Sequence, residues 1–103
     1  MMVRRLKTIE QEIEAIKAQI GKIGVVRPGS LTRQYKDPGN QRRPYYQVSY
    51  THRMKSKTEY VRADFLGVVR QQIRDYRKLK RLIEKWVVLG MEHSRLFMRD
   101  RSR

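Results

Sequence analysis

Residues 25–50 read VVRPGSLTRQYKDPGNQRRPYYQVSY, and they decide the architecture because the hydrophobic period changes there. Tyr46, Val48 and Tyr50 alternate with Gln47, Ser49 and Thr51, which sends the two sets to opposite faces of a strand. Thr58 to Val61 supply a return strand across the polar tip HRMKSK (residues 52–57), and Leu31 to Lys36 supply a third. Arg27-Pro28-Gly29-Ser30 and Asp37-Pro38-Gly39-Asn40 read as turns, since proline presets one central torsion and glycine accepts a positive φ at the next. The expectation for residues 25–62 is a small three-stranded antiparallel sheet. Tyr46, Val48 and Tyr50 should pack inward with Tyr60 or Val61 and Phe65, leaving Tyr45 to point the other way beside Arg43 and Gln47.

Both flanks read as helices. In residues 1–24 the apolar positions are Met2, Leu6, Ile9, Ile13, Ile16, Ile20 and Ile23, a strict alternation of four- and three-residue steps. Lys, Glu, Gln, Arg and Ala between them favour helix, and Gly21 and Gly24 punctuate its end. In residues 63–99, apolar residues from Phe65 through Leu66, Val69, Ile73, Tyr76, Leu79, Leu82, Trp86, Leu89 and Leu96 recur at helical spacing behind Asp64, which reads as the N-cap. The stripe slips between Tyr76 and Leu79, Gly90 is a place to bend or stop, and the helix should run roughly 50 Å. Residues 100–103 form a basic tail.

These pieces predict an α+β fold in one domain: a long antiparallel, coiled-coil-like helical pair with the sheet inserted between the helices in sequence. With Ile23 near Phe65, paired positions should sum to about 88, placing Leu6 opposite Leu82, Ile9 opposite Leu79 and Met2 opposite Trp86. Val87, Leu89, Leu96 and Phe97 then lie beyond the reach of the first helix. The reading is a homodimer formed through them; the competing reading is a loose C-terminal tail.

The chain has 103 residues, 25 Lys and Arg against 10 Asp and Glu, a net charge of +15 and no cysteine. Disulfides, thiolate catalysis and cysteine-ligated zinc are thereby excluded. Neither a signal peptide nor a run of ~20 apolar residues is present, so a cytoplasmic protein without a membrane span is expected, lying with the nucleoid if it binds DNA. The charge attracts polyanions, of which nucleic acid is the commonest; an acidic protein or a membrane surface are the other classes.

The charge is unevenly distributed. Residues 27–62 hold nine cations against Asp37 and Glu59. Arg33, Arg42, Arg43, Arg53, Lys55 and Lys57 are the candidate phosphate contacts, with Tyr45 the candidate for stacking on a base. A second basic row, Arg70, Arg74, Arg77 and Arg81, runs along the long helix. Its neutralisation by Glu10 and Glu14, opposite Lys78 and Arg74 under the pairing above, is the competing reading. No catalytic constellation is visible: His52 and His93 lack ligand partners at metal spacing, Ser30 lacks a base, and no glycine-rich phosphate loop occurs. Neither enzymatic activity, metal, cofactor nor small-molecule substrate is expected.

The run KIGVVRPGSLTRQY (residues 22–35), then RPYYQVSY (43–50), a basic turn, TEYV (58–61) and a long charged helix, resembles a family of small basic bacterial and archaeal proteins found with transposases and other mobile elements. The likeness spans residues 21–89 and is most specific in Pro28-Gly29-Ser30-Leu31-Thr32 with Tyr35. That family often carries cysteines in the loop that is KDPGNQRR (36–43) here, without one. The resemblance implies a DNA-related role.

Composition, layout and resemblance together predict a dimeric binder of double-stranded DNA, accessory or regulatory, with RNA or single-stranded nucleic acid as the variant within that class. The alternative class is a helical adaptor or antitoxin-like partner that docks through the Ile13, Ile16 and Ile20 seam.

Overall fold

The computed structural model describes residues 2–37, 39 and 42–101, the side chains of Met2 and Arg42 excepted. Pro38 and Asn40 of the second expected turn, Ser102 and Arg103 of the tail, and the expected contact of Met2 lie outside the described residues. The element order is α1 (Met2–Gly21), β1 (Ser30–Asp37), β2 (Arg42–His52), β3 (Lys55–Val61), a 3-10 turn (Ala63–Phe65) and α2 (Leu66–Arg101). The chain is thus α+β, with the antiparallel sheet between the two helices in sequence and β2 at its centre. It divides into two compact units, residues 24–77 and residues 1–23 with 78–103, and the division falls inside α2.

In the sheet unit, Leu31 pairs with Val48 and Val48 with Glu59, while Tyr46 pairs with Arg33 and Val61. This register places Leu31, Tyr46, Val48 and Val61 on one face. The start of α2 covers that face: Val48, Val61 and Ile73 are buried together, with Leu66, Val69, Leu31 and Tyr46 packed around them. Val61 faces inward, Tyr60 outward, and Phe65 is half exposed, so the expected inward place of Phe65 is not taken. Gly29 fits its position for two reasons. Its φ of +145° is open essentially to glycine alone, and a Cβ there would lie 2.6 Å from Val48 Cγ2.

In the helical unit, Ile9, Ile16 and Leu82 are buried, and Leu6, Ile13 and Ile20 are half-buried, as the seam requires. Helix α1 stops at Gly21 rather than Ile23; the amides of Lys22 and Ile23 donate to Gln19 and Ile20, a tightened final turn. The cross-helix partners differ from the expected pairing. Arg5 Nε donates to Glu92 Oε1 at 2.9 Å and its Nη2 to Glu92 Oε2 at 2.9 Å, and His93 Nε2 lies 3.2 Å from Glu10. Under the expected sum, residues 83 and 78 would have faced Arg5 and Glu10. The first turns of α2 serve the sheet core, and the contacts of Arg5 and Glu10 fall on later residues of α2. The slip in the apolar stripe falls where the helix changes from one role to the other, and Gly90 does not end the helix.

Asp64 is not an N-cap either. It lies in the 3-10 turn and accepts from Arg62 Nη2 at 3.0 Å, while the N-cap position is Arg62, with no side-chain capping bond.

Candidate nucleic-acid interface

The β2–β3 hairpin closes tightly. His52 pairs with Lys55, leaving Arg53 and Met54 as a two-residue turn with φ of 52° and 65°. Positive φ at both central residues is what a right-twisted hairpin needs, but the usual occupants are asparagine and glycine. An arginine and a methionine held there carry strain, and strain of this kind concentrates at functional positions. Met54 is 97% exposed. The turn is shorter than the six-residue tip expected from sequence: Lys55 and Lys57 belong to β3, and alternation puts both on the α2-covered face, beyond the apolar core.

Tyr50, His52, Arg53, Lys55 and Lys57 line an open hollow of about 310 Å³. Among the described residues, no carboxylate lies within ion-pair distance of Arg53, Lys55 or Lys57. Glu59, which acts electrostatically on Lys57, is already engaged. Tyr50 Oη donates to Glu59 Oε1 at 2.6 Å, and Arg27 Nη1 lies 3.4 Å from Oε2 with its guanidinium 5.0 Å above the Tyr50 ring. The tyrosine hydrogen bond, then the Arg27 charge, hold the Glu59 carboxyl below its ordinary range; the hydrogen bond to Glu59 pushes the Tyr50 phenol up, against the opposing charge of Arg27. Arg27 is therefore a structural arginine, braced between β3 and the aromatic ring.

The other expected contacts separate. Arg33 is exposed on β1, its guanidinium 5.6 Å over the Tyr35 ring. Arg43 forms an ion pair with Asp37 at 2.8 Å; it remains largely exposed, so the pair is weak and a phosphate can compete for it. Arg42 begins β2, and its side chain lies outside the described residues. Within the sheet unit Arg70 and Arg74 are exposed, Arg74 donating to Gln71, and Arg77 reaches the Gly29 carbonyl at 3.5 Å. Arg81 is exposed in the helical unit. Glu10 and Glu14 do not neutralise the α2 row, because Glu10 meets His93 and Glu14 meets Lys17. Of the expected dimer residues, Val87 and Phe97 are about half exposed, whereas Leu89 and Leu96 are half-buried.

The opposite face of the sheet is uncovered. From Ser30 to Lys36, Tyr45 to Thr51 and Ser56 to Tyr60 it presents Ser30, Thr32, Gln34, Lys36, Tyr45, Gln47, Ser49, Thr51, Ser56, Thr58 and Tyr60 by alternation. Lys36 is the one charged residue among them. Hydroxyl pairs cross the strands, Ser49 with Thr58 at 3.3 Å and Thr51 with Ser56 at 3.1 Å. Tyr45 and Tyr60 sit side by side, ring centroids 6.5 Å apart and 33° tilted. Sequence reasoning singled out Tyr45 and missed Tyr60. The signal was present: of two adjacent residues in β3, only one can face the core, and Val61 is the aliphatic one.

No helix is long and apolar enough to cross a membrane, and no cluster of metal-binding side chains occurs among the described residues. No protein-family model, curated protein or solved structure matches the chain.

Proposed function

We propose that this protein binds nucleic acid by holding phosphates at the cationic end of the β2–β3 hairpin. The observation that carries the reading is the hollow of His52, Arg53, Lys55 and Lys57, whose three full cations have no carboxylate within ion-pair distance among the described residues. Cations without an ion-pair partner, gathered at the strained turn and along the first residues of β3, attract a phosphate backbone and gain entropy by releasing its counterions. Double-stranded DNA is the first form to test, since a two-stranded ribbon fits the major groove. The resemblance to mobile-element proteins supports DNA and an accessory or regulatory role. Arg33, Arg43 and the exposed arginines Arg70 and Arg74 extend the cationic surface of the sheet unit as secondary contacts.

The helical unit carries the second part of the reading, a coiled-coil-like pairing of α1 along the later half of α2 and a homodimer. Support for the pairing comes from Arg5 with Glu92 and Glu10 with His93. Support for a second copy comes from Ile83, Val87, Met91 and Met98, each about half exposed at helical spacing on α2. The same stripe would serve an adaptor docking on another protein.

The experiment is a salt titration of duplex binding by the wild type and by the triple variant Arg53→Gln, Lys55→Gln, Lys57→Gln. The slope of log affinity against log salt should become shallower by roughly 2–3 in the variant, and the complex should hold two chains. An unchanged slope moves the contact away from the hairpin; absence of binding by the wild type at low salt leaves the adaptor reading.

A further inference from the structure

The uncovered face of the sheet has a property that the cationic hairpin end does not explain. In a chain of net charge +15, ten of its eleven positions are neutral, and they comprise hydroxyls, amides and two tyrosines. Tyr60 is 67% exposed on a regular strand, so packing accounts for little of its ring. Its partner Tyr45 lies beside it on the central strand, and the edge strand adds Tyr35 and Lys36. These four residues line one open hollow of about 500 Å³. Tyr45 and Tyr60 supply the π area of this depression on the uncovered face and Lys36 its ammonium, while Tyr35, with the Arg33 guanidinium 5.6 Å over its ring, reaches the rim from the other side of β1.

From this arrangement we infer that the hollow of Tyr35, Lys36, Tyr45 and Tyr60 accepts an unpaired nucleobase, stacked on the Tyr45–Tyr60 pair, with Lys36 holding the adjoining phosphate. The inference rests on the nucleic-acid reading above and adds a second contact of different chemistry on the other face. A duplex buries its base faces in its own stack, so only a single strand or an extruded nucleotide presents what these rings bind. Every base has a π face, so stacking here is tolerant of sequence. Gln47, paired with Tyr60, and Gln34, paired with Tyr45, place amide donors and acceptors beside the rings, where base edges would lie. The occupant follows from charge complementarity as well: an acidic peptide would find one cation on this face, whereas a nucleotide needs one cation and a ring.

The test compares two strands of equal length and equal phosphate number, an oligothymidylate and an abasic oligodeoxynucleotide. The wild type should bind the oligothymidylate about five- to a hundredfold more tightly, the range of one or more stacked bases. Tyrosine fluorescence should be quenched by the oligothymidylate and not by the abasic strand. Tyr60→Ala should remove the preference and Tyr60→Phe, which keeps the ring, should retain it, with the folded state of each checked by circular dichroism. Equal binding of both strands by the wild type overturns the base site and leaves the phosphate reading standing. Binding of neither strand overturns the base site, and the phosphate reading is then decided by the duplex titration alone. If Tyr60→Ala instead converts a dimer to a monomer in sedimentation without nucleic acid, the face is a protein interface and the inference fails.

Discussion

The two faces of one sheet differ more than the two units of the chain. Both faces are made by the same three strands, so alternation alone sorts their residues. The α2-covered face holds Leu31, Tyr46, Val48 and Val61 in its core and Arg33, Lys55 and Lys57 beyond the core. The uncovered face is tiled with threonine, serine, glutamine and tyrosine. The consequence is a division of physical range. Cations act over several ångströms and are weakened by salt, while ring faces and amides act only in contact. Under the proposed function, a molecule arranged in this way would draw a polyanion by one surface and discriminate among its chemical groups by the other.

The comparison is tested most severely by stability. Ile73, 4% exposed beneath the sheet, should cost about 2–5 kcal/mol when changed to alanine, through lost burial and the cavity left behind. Thr58→Ala on the uncovered face loses one exposed hydroxyl pair with Ser49 and should cost below about 1 kcal/mol. Urea unfolding followed by circular dichroism measures both. Equal losses would mean that the uncovered face is buried in solution, and the two faces would no longer differ in kind.

Next in size is Gly29→Ala. The substitution forces a methyl group toward Val48, which is fully buried, at a φ that alanine rarely adopts. A loss of about 1–3 kcal/mol is expected in the same measurement. This glycine sharpens the comparison because it lets the chain enter β1 tightly against the covered face only. A neutral outcome would show that the segment before β1 can move away from Val48.

How much of this was legible in the sequence depends on the range of the determining contact. The three strands follow from Tyr46-Gln47-Val48-Ser49-Tyr50 alternation and from the local chemistry of Pro28-Gly29, and the α1 seam follows from its own heptads. What failed was non-local. The expected register of α1 against α2 gives α2 a single client, but Leu66, Val69 and Ile73 are taken by the sheet, and the partners of Arg5 and Glu10 are Glu92 and His93. The same cause displaced the supposed neutralisation by Glu10 and Glu14. Asp64 looked like a cap because its composition was right, yet its carboxylate is occupied by Arg62. At the candidate site the cations were legible as residues, whereas their partition between faces needed the register; the choice of Val61 over Tyr60 for the core was already legible in its aliphatic side chain.

The smallest effect concerns pH. Glu59 lies on the covered face beside the cationic hollow, and the Tyr50 hydrogen bond followed by the Arg27 charge depresses its carboxyl from the ordinary value. A carboxyl that releases its proton more readily when folded stabilises the folded state at pH values above the unfolded pKa, near 4.5. That contribution is lost as pH falls through the lower native value. Glu59→Gln should therefore be less stable than wild type at pH 7, with the gap closing as the solution is acidified below the ordinary carboxylate range. Because Glu59 is half exposed, the gap should be smaller than either preceding effect and should shrink with added salt. Paired urea titrations at neutral and acidic pH read it directly. A gap that persists at low pH would assign the role of Glu59 to hydrogen-bond geometry with Tyr50, and would remove charge from the account of how the inner face is held in order.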